Sequence, residues 1–248
     1  MLKFSASARS LTLAICLGLL VIARAHSAIT VIAITIITVL AAKRLSTRIA
    51  VALLGGLIAL GLPWIASPLV AGLAWAAAKK IPSFDAPSQS RPFRHQATQA
   101  FLSFGIGSAA GLVAAPFVFW QLNRTPLQFD IVQPATWLIV IACVLLAFLN
   151  AVGEELIWRG ALLEECNSLP LPVVFLAQSG SFGLAHLFGL PGGLIGCLLT
   201  AVASVLFVLV HRRWGLGASI ITHFAADLVI FIAALPNVLF TGWCAGYC

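Results

Sequence analysis

The sequence predicts an all-α protein, a polytopic transmembrane helical bundle of about eight or nine membrane helices. Of its 248 residues, 61% are hydrophobic and only 8% are charged, and the mean hydropathy is +1.08. Soluble domains carry about 25% charged residues. The apolar residues fall in long uninterrupted runs, which favours helices because backbone polar groups in lipid need partners within the protein. We expect the whole chain, 1–248, to form a single integral membrane domain.

Nine apolar runs follow one another along the chain, and each predicts one helix. Several are shorter than the roughly 20 residues that a helix needs to cross a bilayer. The expected helices cover 11–25, 28–42, 49–63, 64–78, 99–121, 135–163, 171–188, 190–210 and 214–235. Residues 1–130 would then supply N-terminal helices, and residues 135–235 the helices that carry the chemistry.

The N-terminal region has features of a secretory signal peptide. Lys3 and Arg9 precede an apolar stretch over 11–23, and the triplet 23–25, Ala-Arg-Ala, resembles a cleavage site. A second apolar run begins at once at Ala28. This arrangement favours a retained helical hairpin over a cleaved leader.

The basic residues lie in short connectors between apolar runs, so the net charge of +7 indicates membrane topology. Nucleic acid is not an expected partner, and membrane lipid is. If 49–63 and 64–78 form a hairpin, the clusters at 43–48, 79–94 and 212–213 fall on one side, which the positive-inside rule makes cytoplasmic. No organelle-targeting signal is present, so we expect a bacterial inner (plasma) membrane.

Two further patterns concern connections and helix packing. The stretch from Lys79 to Gln99 contains several Pro and Ser residues and is predicted to be a cytoplasmic loop. Gly107 with Gly111, and Gly189 with Gly193, are spaced as small-xxx-small pairs, which are typical of close helix contacts in membranes.

Two adjacent glutamates, Glu154 and Glu155, are placed at the end of an apolar run in a chain with only seven acidic residues. They belong to the stretch 153–160, Gly-Glu-Glu-Leu-Ile-Trp-Arg-Gly. Ionisable groups at membrane depth are rare and usually functional. Glu155 and Arg159 are four residues apart and can pair on one helix face, whereas Glu154 is rotated by about 100° and can face a polar cavity. The alternative is that both glutamates lie in water at a cytoplasmic helix end.

Two histidines lie in apolar sequence further along the chain. His186 follows Phe182 by four residues, and a lone histidine of this kind is more often a hydrogen-bonded core residue than a catalyst. His223 is followed one turn later by Asp227, so the two side chains can share a helix face and a hydrogen-bond network.

Taken together, these motifs resemble the CPBP intramembrane proteases, which include the CAAX prenyl endopeptidases of the Ras-converting type. The family pattern is EExxxR, then FxxxH, then HxxxN or a similar residue, each on a membrane helix. The sequence has, in this order, Glu154-Glu155-x-x-x-Arg159, Phe182-x-x-x-His186 and His223-x-x-x-Asp227. The resemblance covers residues 135–235. It departs at Asp227, because the commoner Asn offers an N–H donor that an ionised Asp lacks.

The resemblance implies an intramembrane endopeptidase that acts on a membrane-associated or C-terminally tagged protein or peptide. By this resemblance the catalytic group would be Glu154, His186, His223 and Asp227, supported by Glu155 and Arg159.

The chemistry of these side chains agrees with that activity. Peptide hydrolysis requires an activated water and stabilisation of the developing oxyanion. Glu154 is the natural general base, and His186 can position the water. His223 can orient the water or stabilise the oxyanion, while Asp227 holds the tautomer of His223 or, when protonated, donates directly.

The cofactor is left open by the sequence. Glu154, His186 and His223 offer the ligand types of a zinc site, so one divalent metal such as zinc is one possibility. The sequence lacks HExxH, and the resemblance equally supports a glutamate mechanism with no metal.

The depth of the three motifs in the membrane gives a further expectation. If the first motif helix runs on through Glu165, Glu154 lies roughly 12–15 Å below the helix end, near the depth of His223. His186 remains too deep, which predicts a tilted or broken helix near Gly180 or Gly183.

Three other functions are compatible with parts of the pattern. A serine intramembrane protease would use Ser179 or Ser181 with a histidine. A transporter or channel would place the buried charges along an ion path, although no clear internal repeat supports it. A non-catalytic immunity or scaffold protein on the same fold is the third alternative.

Overall fold

The computed structural model describes residues 6–23, 27–61, 65–79, 93–124 and 136–244. These residues form helices joined by turns, with no strand in any of the described ranges. The prediction of an all-α bundle is confirmed.

The helices follow the apolar runs in chain order. Their bounds are α1 Ala6–Ala23, α2 Ala28–Ala41, α3 Leu45–Ala59, α4 Ala66–Ala78, α5 Phe93–Arg124, α6 Thr136–Glu155, α7 Leu163–Cys166, α8 Leu171–Ala185, α9 Gly193–Trp214 and α10 Leu216–Cys244. A π-helical segment, Leu156–Leu162, joins α6 to α7 without a break. Within the described residues each predicted run therefore corresponds to one continuous helix.

One difference between expectation and structure is at the start of α5, and another is at the end of α10, which runs on to Cys244. Helix α5 begins at Phe93, so residues 93–99, predicted to be loop, are helical, and residues 80–92 lie outside the described part of the chain. Hydropathy marks only the part of a helix that lipid surrounds. A polar first turn such as Arg94 to Gln96 continues the helix without extending the apolar run.

Large apolar side chains cover much of the outer surface, as in a protein that lipid surrounds. Leu112 and Leu198, for example, are 65% and 67% exposed. Four helical stretches are long and apolar enough to cross a membrane, and five shorter apolar helices accompany them in the described ranges. The four are Gln96–Leu122, Trp137–Cys166, Gly193–Trp214 and Leu216–Ala234. The chain is an integral membrane protein.

The contact between α5 and α10 depends on two glycines. A Cβ atom on Gly107 would overlap the carbonyl oxygen of Thr222, and one on Gly111 would lie 2.7 Å from the carbonyl oxygen of Ala226. The first small-xxx-small prediction is thus confirmed, and this contact supports the turn of α10 that carries His223.

The second small-xxx-small prediction is wrong. Gly189 and Gly193 lie at the turn between α8 and α9 and not on a packed helix face. Gly193 has φ +67°, a left-handed conformation that glycine adopts at little cost. The spacing of four therefore reflects a tight connection between two helices.

The polar end of the bundle is tied together by the two glutamates of α7. Glu164 accepts ion pairs from Arg44 at 2.6 Å and Lys79 at 2.7 Å. The carboxylate of Glu165 accepts the backbone N–H groups of Lys43 and Arg44 at 3.1 and 2.8 Å. Two of the basic clusters expected on one side of the membrane are therefore at the same end of the bundle.

Candidate active site

The first motif lies on a helix that continues well beyond it. Glu154 and Glu155 end α6, Arg159 lies in the π-helical segment, and the helix runs on to Cys166. At about 1.5 Å per residue, Cys166 lies roughly 18 Å along the helix from Glu154, slightly further than the roughly 12–15 Å that the sequence predicts. The π-helical geometry is not foreseen by the sequence. Such segments are rare and are frequently found at functional sites.

Helix α4 packs closely on this motif helix through three glycines. A Cβ atom on Gly153 would lie 2.6 Å from the backbone nitrogen of Leu69, and one on Gly160 would lie 2.5 Å from the ring of Trp75. On the α4 side, a Cβ on Gly72 would lie 2.7 Å from the Cβ of Leu156. The glycines at both ends of the stretch 153–160 therefore allow an N-terminal helix to hold the motif in place.

Glu155 is fully buried and surrounded by donors. Its Oε1 lies 3.1 Å from Nη1 of Arg159 and 2.9 Å from Nδ1 of His223, and its Oε2 accepts the hydroxyl of Ser219. The pair predicted between Glu155 and Arg159 is present. A buried carboxylate requires such donors, because an unpaired charge in a low-dielectric interior is strongly destabilising.

Arg159 is held on its other side by α9 and by two aromatic rings. Its Nη2 donates to Oγ of Ser204 at 2.8 Å. The guanidinium carbon lies 4.6 Å from the ring centroid of Phe182 and 5.1 Å from that of Phe207. Cation–π contacts of this kind stabilise a desolvated guanidinium, so the charge of Arg159 is fixed in position.

Glu154 differs from its neighbour in having an unpaired oxygen. The residue is 6% exposed, and its Oε2 has no hydrogen-bond partner among the described residues. Nε2 of His223 lies 3.5 Å from this oxygen, at the outer limit for a hydrogen bond. Glu154 is therefore the carboxylate that remains able to accept a proton from a third group.

The two ring nitrogens of His223 face different carboxylates. Nδ1 donates to Glu155, whereas Nε2 lies 3.5 Å from both Glu154 and Asp227. Glu155 makes the hydrogen bond to Nδ1. The side chain of Asp227 shares the helix face of His223 but reaches the opposite edge of the imidazole.

Asp227 has a second partner that the sequence reasoning misses. The amide nitrogen of Asn150 donates to Oδ2 of Asp227 at 2.8 Å. Asn150 lies one turn before Glu154 on α6, so its polar side chain in the apolar run 135–152 is a signal available in the sequence. Two other missed residues, Ser204 and Ser219, give no such signal, because isolated serines are common in membrane helices.

His186 lies at the C-cap of α8, directly after the last residue of that helix, Ala185. Its Nδ1 donates to the carbonyl oxygen of Phe182 at 2.9 Å, and the two rings lie 4.5 Å apart. The ring of Phe182 is also 5.7 Å from that of His223. Phe182 thus separates the two histidines, and the Nδ1 bond leaves Nε2 of His186 as its free nitrogen.

The sequence predicts a tilted or broken helix here, and the break is absent. Helix α8 is continuous through Gly180 and Gly183. A Cβ atom on Gly183 would lie 2.6 Å from the carbonyl oxygen of Cys197, so this glycine permits close packing on α9 and not a kink. Phe182 bridges the remaining gap, because its ring contacts His186 and His223 together.

The serine alternative is not supported by the contacts of α8. Oγ of Ser181 accepts the indole N–H of Trp158 at 3.2 Å. The hydroxyl of Ser179 is buried without a hydrogen-bond partner among the described residues, so it lacks the adjacent base that activates a serine nucleophile.

The donor set was compared with what a metal ion requires. Zinc sites use three or four nitrogen, sulfur or oxygen ligands around one point. In the described ranges no three His, Cys, Asp or Glu side chains are arranged in this way. Glu154, His186 and His223 therefore do not form a ligand set in this arrangement, and the mechanism below uses no step that needs one.

The fold and the cluster define a class: an integral membrane protein with a buried carboxylate–histidine site built on three helices. A family model described as Rce1-like, type II CAAX prenyl endopeptidase, matches residues 134–229. This stretch is therefore similar to the Rce1-like peptidase family, as the three motifs predict. No curated protein and no solved structure matches the chain.

Proposed function

We propose that this protein is an intramembrane endopeptidase in which Glu154 activates water to hydrolyse a peptide bond. The observation that carries the proposal is the contrast between the two adjacent glutamates. Glu155 is occupied by Arg159, His223 and Ser219, whereas Oε2 of Glu154 is buried beside His223 with no hydrogen-bond partner among the described residues.

The reaction begins with proton transfer from water to Glu154. The oxygen of the water attacks the carbonyl carbon of the scissile bond, and a tetrahedral oxyanion forms. Glu154 then returns the proton to the amine nitrogen as the carbon–nitrogen bond breaks, which leaves a carboxylic acid and an amine, and the acid passes its remaining proton to the amine. A carboxylate that acts first as base and then as acid in this way contributes on the order of 10²–10⁴ to the rate.

The two histidines have different tasks in this scheme. The Nδ1 bond of His186 to a carbonyl leaves Nε2 as an acceptor, which can help to position the attacking water through a second water that donates to both. His223 is held by Glu155 at Nδ1, so a proton on its Nε2 faces Glu154 and Asp227 and is available to the oxyanion. Fixed donors of this kind stabilise the oxyanion most in a site that excludes water.

The substrate follows from the location of the site. A cluster buried among membrane helices receives a peptide that is itself membrane-associated or carries a C-terminal tag, such as a membrane anchor or sorting tail. We place the protein in a bacterial inner membrane, with the end of the bundle that holds Arg44, Lys79 and Glu164 on the cytoplasmic side.

Purified protein in proteoliposomes, incubated with membrane-anchored peptides, tests the proposal. Mass spectrometry of the products should show two fragments that together exceed the substrate by one water. His186→Ala and His223→Ala should reduce the rate at least 100-fold. A parent protein that moves the peptide or an ion across the bilayer without cleaving it would identify a transporter instead.

A further inference from the structure

Asn150 is a buried polar residue of the motif helix for which the proposed mechanism has no role. It is 4% exposed and lies one helical turn before Glu154, on the face of α6 that contacts α10. Its amide nitrogen donates to Oδ2 of Asp227 at 2.8 Å. Buried side-chain amides in proteins almost always make hydrogen bonds, so the partners of both ends of this amide need to be identified.

The bond from Asn150 fixes one particular oxygen. Oδ2 of Asp227 is also the atom that lies 3.5 Å from Nε2 of His223. A carboxylate only accepts hydrogen bonds, so the amide must present its N–H to Asp227 and turn its carbonyl oxygen away. This hydrogen bond therefore fixes the position of the Asp227 carboxylate and the orientation of the Asn150 amide.

The carbonyl oxygen of Asn150 lies on the same side chain but points away from Asp227. It is buried without a hydrogen-bond partner among the described residues, as is Oε2 of Glu154. Side chains four residues apart on a helix have Cβ atoms about 5–6 Å apart. The two acceptors lie on one helix face, and one water can donate a hydrogen bond of about 2.8 Å to each of two acceptors and keep a lone pair for attack on a carbonyl carbon.

We propose that Asn150 is a positioning residue of this site, which holds Asp227 through its amide nitrogen and orients the attacking water, together with Glu154, through its carbonyl oxygen. The inference rests on the proposed hydrolysis for its kinetic consequences, whereas the pairing of Asn150 with Asp227 can be tested without it.

Three variants test the role of Asn150. Asn150→Ala should lower kcat on the order of 10- to 100-fold with little change in KM. Asn150→Asp places two carboxyl groups together, so one must hold a proton, and the optimum for cleavage should move to lower pH. The exchange variant Asn150→Asp/Asp227→Asn restores an amide beside a carboxylate, and it should recover activity at neutral pH.

The control is Thr38→Val, which removes a buried hydroxyl on α2, far along the chain from the motifs. Its kcat should match that of the parent. The proposal is contradicted if Asn150→Ala is as active as Thr38→Val, or if the exchange variant is no more active at neutral pH than Asn150→Asp.

Thermal unfolding in detergent separates this inference from the proposed function. The exchange variant should unfold at a higher temperature than Asn150→Asp, because it restores the hydrogen bond. Equal unfolding temperatures would overturn the pairing. A parent that hydrolyses no peptide would overturn the proposed function, and the unfolding comparison would still decide whether Asn150 and Asp227 form a pair.

Discussion

Glu154 and Glu155 show how two identical neighbours acquire different chemistry. Adjacent residues on a helix differ by about 100° in direction, so Glu155 faces Arg159 and Ser219 while Glu154 faces the gap beside His223. The environment and not the residue type thus separates a supporting carboxylate from a candidate base.

The ion pair between Arg159 and Glu155 is expected to stabilise the folded protein. Arg159→Met removes the cation and leaves a buried carboxylate without its charged partner, so the free energy of unfolding should fall by about 3–5 kcal/mol. Thermal unfolding of the purified protein measures the effect. The control Arg213→Met removes an exposed charge and should change stability by less than about 1 kcal/mol. Equal stability of both variants would contradict the role of the ion pair.

The sequence predicts contacts within one helix better than contacts between helices. The pairing of Glu155 with Arg159 follows from a spacing of four residues and is present. The bond from His223 to Glu155 and the bond from Asn150 to Asp227 join residues far apart in the chain. Their existence depends on how α6 and α10 pack, which no local pattern specifies.

At the scale of the element, helices outside the motif region position the motifs. Helix α4 holds the first motif through Gly153 and Gly160, and α5 holds the turn of α10 that carries His223 through Gly107. The first five helices resemble the family only in being hydrophobic. In this chain, α4 and α5 have the specific task of positioning the helices that carry the motifs.

Two glycines on α5 provide a matched test of that task. Gly107→Ala forces a methyl group against the carbonyl of Thr222 and should cost about 1–3 kcal/mol, with a lower cleavage rate because the turn beside it is displaced. Gly105→Ala meets no atom within 4 Å and should be neutral or stabilise the helix by about 0.5–1 kcal/mol. Unfolding temperature and cleavage rate are the measurements. Indistinguishable variants would show that this contact does not position α10.

Helix number is predicted well and helix shape is not. Nine apolar runs correspond to nine continuous helices in the described ranges, because burial in lipid demands long apolar segments. The π-helical segment Leu156–Leu162 and the unbroken course of α8 depend on side-chain packing. Hydropathy contains no information on either feature.

At the scale of the whole molecule, one apolar core links the two ends of the chain. Leu13 of α1, Trp75 of α4, Phe182 of α8 and Ala226 of α10 belong to one cluster of buried side chains. This continuity supports the proposal that residues 1–248 form a single integral membrane domain. Helix α1 contributes to this core and packs against α8.

Whether cleavage requires a metal ion can be tested on the purified protein. Since no three described His, Cys, Asp or Glu side chains form a ligand set, we expect cleavage to persist after treatment with a chelator, and metal analysis to find no stoichiometric ion. Loss of activity that zinc restores would contradict this expectation and would assign Glu154, His186 and His223 to a metal site.

The most direct test of the central claim compares two glutamines placed ten residues apart. Glu154→Gln keeps the size of the side chain but cannot take a proton from water, so single-turnover cleavage should slow by about 10²–10⁴. Glu164→Gln makes the same change in a carboxylate that binds Arg44 and Lys79 at the polar end, and cleavage should stay within a few-fold of the parent. A Glu154→Gln protein that cleaves at the parent's rate would contradict the account.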